Sequence, residues 1–207
     1  MTMDIVILTK STMKGGYCVS GIDVQSREWI RLIADSTGSP LNDRLMTCID
    51  EEGMSKHYEP LDVVRVDVET VPLLNHTENC RVKDSADVVM RRLGTMTLDD
   101  VVQLLPSETH EYVYGNSAES LSEDEMRGFG FKYSLMMIRV KNLSLRTNKA
   151  DFDYNGIHYR NMSVTDPYYR GFSAGLGDAY IVVSMPSAPD RRSKRYYKLI
   201  AKIFPLK

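Results

Sequence analysis

Two sets of residues in this chain could do chemistry, and they ask for different ligands. The first interleaves tyrosines with cations: Tyr168-Tyr169-Arg170 follows Asp166-Pro167, and Tyr196-Tyr197-Lys198 follows Arg191-Arg192-Ser193-Lys194-Arg195. A tyrosine ring stacks on an unpaired base for ~1–3 kcal/mol, while Lys and Arg neutralise phosphates in a salt-dependent way. On this reading Tyr168, Tyr169, Arg170, Arg191, Arg192, Lys194, Arg195, Tyr197 and Lys198 form a nucleic-acid-binding set. The opposing reading makes alternate tyrosines core and the charges a solubilised edge strand. In a strand, only one of Tyr196 and Tyr197 can face the interior.

The second set is His76-Thr77-Glu78-Asn79-Cys80, just after Pro72. A histidine near a carboxylate can exchange protons. The plainer alternative is that these groups hydrogen-bond loop backbone. His57, His110 and His158 lack helical ligand spacing and no CxxC pair exists, so no metal site is expected. Gly171, Gly175 and Gly177 have neither the strand–GxGxxG–helix nor the GxxxxGK[ST] context and read as a tight turn before a strand. No cofactor and no catalytic residue is assigned. Trp29-Ile30-Arg31 places Arg31 on the same strand face as Trp29, as an ion-pair partner or a ligand contact.

Charge divides the chain. Residues 1–130 hold 12 Lys+Arg against 23 Asp+Glu, whereas residues 131–207 hold 14 against 5, with 12 of the 18 aromatics. A basic, aromatic half suits an anionic ligand; an acidic half suits a protein partner or a basic surface. With 43% hydrophobic and 26% charged residues the composition is that of a well-folded globular protein. No apolar run approaches the ~20 residues that cross a bilayer, and the start does not read as a signal peptide, so no membrane role is expected. Three widely spaced cysteines, Cys18, Cys48 and Cys80, read as small buried residues, which suits a reducing cytoplasm.

The elements that must position these residues are mostly strands. Residues 4–8, 17–23, 28–33 and 61–71 read as strands; in the last, Val64, Val66 and Val68 oppose Arg65, Asp67 and Glu69. Residues 35–44 read as loop. Ser85 caps an expected helix over 86–93, ended by Gly94, and Thr97 with Asp100 starts another, stopped by Pro106. Eight acids and no Lys or Arg lie between Asp99 and Glu125, which reads as a solvated connector. Beyond it, residues 133–140, 152–154, 157–159, 180–185 and 196–204 read as strands, with Asn155-Gly156 as a two-residue type I′ hairpin turn. The fold class that follows is mainly β: two OB-fold-like five-stranded barrels in tandem, residues 1–83 and 131–207, joined by a helical acidic connector over 84–130.

The order of an apolar first strand, Gly16-Tyr17-Cys18-Val19-Ser20-Gly21-Ile22, Glu28-Trp29-Ile30-Arg31, His76-Thr77-Glu78-Asn79, Val164-Thr165-Asp166, Gly175-Leu176-Gly177-Asp178 and Tyr197-Lys198-Leu199-Ile200-Ala201 resembles the dual OB-containing domain family. The resemblance spans nearly the whole chain. It implies two OB-folds and a nucleic-acid or nucleotide-binding, non-enzymatic role in a prokaryotic defence or mobile-element system. It also implies a polar cluster, Arg31, His76, Glu78, Asn79 and Asp166, that could converge where the barrels meet. Two acids there would repel phosphate unless Arg31 and Lys198 pair with them, which favours a structural network or a small-ligand pocket, and a small-ligand sensor or enzyme is the alternative reading. A scaffold subunit whose charged halves contact neighbours is a third.

Overall fold

Period-two alternation runs through most of the chain, and strands dominate the result. The computed structural model describes residues 1–13, 15–73, 75–83, 90–105 and 110–206, and the chain divides into two units, Met1–Pro106 and Ser107–Lys207.

The first unit is built from β1 (Thr2–Met13), β2 (Gly16–Asp23), β3 (Trp29–Ile33), β4 (Thr47–Ile49), β5 (Ser55–His57), β6 (Asp62–Thr70), β7 (Asn79–Val82) and β8 (Arg91–Thr95). Five of them, β1-β2-β3-β7-β6, form a ring that closes through antiparallel pairing of β6 with β1. On β6, Val64, Val66 and Val68 are buried while Arg65 is exposed, so the alternation read from sequence sets the strand's inner face. Ile5, Ile7, Val19, Ile30 and Leu32 complete that core. The ring is tight: a Cβ on Gly21 would stand 2.0 Å from the Val6 carbonyl oxygen, so only glycine lets β1 and β2 approach there. β8, β4 and β5 extend the sheet outward from β6. Helix α1 (Leu98–Leu104) follows, started by a capping box between Thr97 and Asp100.

The second unit opens with a 3₁₀ turn at Val113–Gly115, β9 (Ser120–Leu121) and α2 (Glu123–Phe129), the last begun by a Ser122–Glu125 capping box. Then come β10 (Leu135–Arg146), β11 (Lys149–Tyr154), β12 (Ile157–Val164), β13 (Ser173–Ser184), β14 (Tyr196–Tyr197) and β15 (Leu199–Pro205). The closed barrel is β10-β11-β12-β15-β13. Its core holds Val140, Phe152, Tyr159, Met162, Ile181 and Ile203, with the Phe152 and Tyr159 rings stacked at 5.1 Å. Asn155 and Gly156 both take positive φ in the hairpin between β11 and β12, as a type I′ turn requires.

Counting each set of five in chain order, both units run 1-2-3-5-4 and close strand 4 onto strand 1, with strands 3 and 5 parallel. That Greek-key path is the OB-fold arrangement.

Three local expectations are corrected. The expected helix over 86–93 lies partly in residues 84–89, outside the described residues, but Arg91–Thr95 is strand β8, antiparallel to β6. Long-range pairing won over local helical spacing, and Arg92 locks it with Nε donating to Asp62 Oδ1 at 2.7 Å. The glycines of 171–178 do not make one tight turn. β13 already begins at Ser173, and Gly177, at φ 71°, sits where the β10–β13 register shifts. The expected strand over 196–204 is broken at Lys198, because Tyr196 and Tyr197 pair with β9 rather than with the barrel. The boundary between units falls at Pro106–Ser107, within the stretch read as a connector, so α1 belongs to the first unit and α2 to the second. Among the described residues no helix is long and apolar enough to cross a membrane.

Candidate nucleic-acid interface

The connection from β12 to β13, residues 165–172, is organised by Asp166. This carboxylate is 1% exposed; Oδ2 accepts from Ile203 N–H at 2.9 Å and Oδ1 from Tyr168 N–H at 3.0 Å. Lys202 Nζ stands 3.2 Å from Oδ2. Tyr169 and Arg170 N–H groups donate to the Asp166 carbonyl, folding the segment into a turn. Gly171, at φ 88°, donates its N–H to Thr147 O and Asn148 Oδ1, tying that turn to the β10–β11 loop. A buried acid thus holds up a rigid exposed platform.

On the platform stand three rings. Tyr168 and Phe172 are 67% and 52% exposed and lie nearly parallel, 12° apart with centroids at 6.1 Å. Tyr169 meets both edge-on, at 4.8 and 6.2 Å, and is half-buried. Lys202 Nζ is 6.0 Å from the Tyr168 ring centre, and Arg170 is exposed on the same connection. Phe172 was absent from the sequence-derived set. Its signal was present in the run Tyr-Tyr-Arg-Gly-Phe, where a large apolar residue follows a turn glycine.

The remaining basic residues divide. Arg191, Arg192 and Lys194 are exposed on the β13–β14 loop, where Arg192 feels the nearby Asp190 carboxylate. Their loop is shaped by Asp190, whose Oδ1 accepts from Arg192 and Ser193 N–H and from Ser193 Oγ–H. Those three hydrogen bonds hold the carboxyl below its ordinary value. Arg195 is engaged elsewhere: Nε donates to Ser120 Oγ at 2.7 Å and Nη2 to Ser120 O at 3.1 Å. Tyr196 is core, and Tyr197 is half-buried opposite Ser120. Lys198 has no exposed surface; Nζ donates to Asn116 O and Oδ1, both at 2.7 Å. Burial pulls its ammonium down to about 7. The nine residues therefore divide among an aromatic platform, an exposed basic loop and an internal strut.

In the first unit, Arg31, His76, Glu78 and Asn79 cluster where parallel β3 and β7 meet, with Arg31 in register with Asn79. Arg31 N–H donates to Glu78 O at 2.9 Å, and Arg31 Nε lies 3.4 Å from Glu78 Oε1. His76 and Glu78 are buried at 8% and 4% exposure. The Asn79 amide is fully buried and, among the described residues, makes no hydrogen bond through Nδ2 or Oδ1. Trp29 is also buried yet lies outside the ring's core cluster, on the Arg31 face. Asp166, the fifth residue of that set, belongs to the second unit and spends its carboxylate there. No group of three or more His, Cys, Asp or Glu is placed to hold a metal among the described residues.

Two rings with one Greek-key path in each unit agree with the sequence profile that decides the family. The sequence profile of the dual OB-containing domain matches residues 3–203. The chain belongs to the dual OB-containing domain family. Searches of curated proteins and of solved structures returned no match. Membership in the dual OB-containing domain family makes this an OB-fold protein, a class that commonly binds oligonucleotides or oligosaccharides.

Proposed function

We propose that the second barrel binds single-stranded nucleic acid, with bases stacking on Tyr168 and Phe172 and phosphates meeting Arg170, Arg191, Arg192 and Lys194. The observation that carries this is the exposed, near-parallel ring pair beside a cation on an OB barrel. Exposed large aromatics gathered in one patch mark an interaction site more often than chance. Bases fit them because every base offers a π-face, and stacking tolerates any sequence. Arg195 and Lys198 leave the proposed phosphate set, since their donors are already used inside the unit.

The test is a binding titration of a fluorescent oligothymidine at increasing salt. Tight binding at low salt, weakening with a log–log slope of roughly −0.7 per phosphate contact, supports the reading. Absence of binding at low salt sinks it.

A second reading draws on one observation in the first unit. The unpartnered Asn79 amide, with Arg31 and Glu78 beside it, suits a small polar ligand supplying the missing donor and acceptor. A thermal-shift screen of nucleosides and amino acids would reveal it, and Asn79→Leu should abolish any hit.

A further inference from the structure

On the second barrel, a separate groove of about 680 Å³ is lined by Arg139, Lys141, Asp153, Tyr154, Asn155 and Gly156. Its volume is that of a site for a mononucleotide-sized ligand. Arg139 and Lys141 are both exposed and stand two residues apart on β10, so their side chains leave the same face. A register shift follows Lys141, where Asn142 takes φ 52°. Bulges of this kind re-aim a side chain, here next to the hairpin turn.

The charge balance of the groove favours an anion. Asp153 is its one carboxylate. Asn142 Nδ2 donates to Asp153 Oδ2 at 2.7 Å, and His158 Nδ1 lies 2.6 Å from Oδ1. These contacts hold the carboxyl below its ordinary value and occupy its oxygens. Lys141 stands opposite Asp153 in the β10–β11 register, but the Asp153 oxygens are taken by Asn142 and His158. Arg139 makes a loose, exposed contact with Asp178 at 3.4 Å, which a phosphate can displace at little cost. The far wall is fixed, because Tyr154 Oη and Asn155 Nδ2 both donate to the His110 carbonyl at 2.8 Å. The wall needs no ordering on binding, so the ordering cost falls on the two exposed cations, Arg139 and Lys141.

We propose that this groove binds a nucleotide phosphate, with Arg139 and Lys141 as the phosphate clamp and the Asn155–Gly156 turn as the opposing wall. The site does not require the aromatic platform, so it stands or falls separately from stacking. Free mononucleotide and the phosphorylated end of a strand share this chemistry.

The experiment is a ¹⁵N-resolved NMR titration of the full chain with adenosine 5′-monophosphate, adenosine, and oligothymidine with and without a 5′-phosphate. The expected result is shifts of the Lys141, Asn155 and Gly156 amides with the monophosphate and not with adenosine. Arg139→Gln with Lys141→Gln should weaken that response at least tenfold. Tyr168→Ala with Phe172→Ala should leave it unchanged while reducing oligothymidine binding. A response only from the 5′-phosphorylated strand assigns the groove to strand ends; a response from the monophosphate assigns it to free nucleotide. No groove response to either phosphorylated probe at millimolar concentration overturns the proposal. So does a response that survives the double charge substitution.

Discussion

The two barrels trace one path and invest in different places. In the first ring, strand 3 reaches strand 4 through residues 34–61, which include β4 and β5; in the second, residues 165–172 suffice. The connection from strand 4 to strand 5 reverses this, running over 71–78 in the first ring and 185–198 in the second. The short second-barrel connection carries Tyr168 and Phe172; its long one carries Arg191, Arg192 and Lys194. In the first ring, the strand 4–5 connection carries His76 and Glu78, both buried. A shared scaffold leaves specificity to its loops, and only the second barrel turns aromatic loop residues outward among the described residues.

The largest expected effect breaks the platform and leaves the first ring alone. Asp166→Ala strands the Ile203 and Tyr168 N–H groups and removes a partner of Lys202. It should destabilise the second unit by about 3 kcal/mol, seen by calorimetry as a shift in that unit's unfolding only. A loss below about 1 kcal/mol would show that the acid is not the support described.

Next, Tyr168→Ala with Phe172→Ala should weaken oligothymidine binding by about 2 kcal/mol, roughly thirtyfold, with unfolding unchanged. Equal loss from a first-ring substitution such as Tyr17→Ala would erase the contrast between barrels.

A smaller effect is pH-dependent. The Lys198 ammonium titrates at about 7 in the folded chain and near 10.5 when unfolded. Between those values the unfolded state holds more protons, so raising pH stabilises the second unit, by at most about 1.4 kcal/mol per pH unit. Tyr159, whose hydroxyl burial pushes upward from 10, reverses the trend above about pH 10. Lys198→Met should flatten the rise between pH 7 and 9.5 in denaturant titrations; an unchanged slope would refute the assignment.

The smallest effect belongs to the loop. Arg191→Gln, Arg192→Gln and Lys194→Gln together should reduce the salt slope by about 2 without moving stability. An unaltered slope would exclude the loop from phosphate contact.

Much of the fold was legible because period-two alternation and Asn155-Gly156 are local signals. β8 was not, since its strand character comes from pairing with residues 62–65, distant in sequence. Within the candidate site, Tyr168 and Tyr169 were legible as aromatic–basic runs. Lys198 was misplaced because composition cannot tell a surface ammonium from one tied to Asn116, 82 residues earlier. The charge division also changes when drawn at the structural boundary. Residues 1–106 hold 11 Lys+Arg against 17 Asp+Glu, and residues 107–207 hold 15 against 11. The acids of α2 and the residues before it dilute the basic unit, so its positive charge is a property of particular loops.

Closure of the second barrel has a further consequence. The ring leaves part of β13 unpaired on one side, since β15 meets it only over Ala179–Ser184, and the extended sheet of the first unit ends on β5, three residues long and bearing Lys56. The β5 edge is too short and charged to template another chain's strand, whereas the exposed start of β13, Ser173–Asp178, is protected by its glycines and the register shift at Gly177. Resistance to runaway sheet stacking is therefore built into short, charged or irregular edges rather than into closure alone.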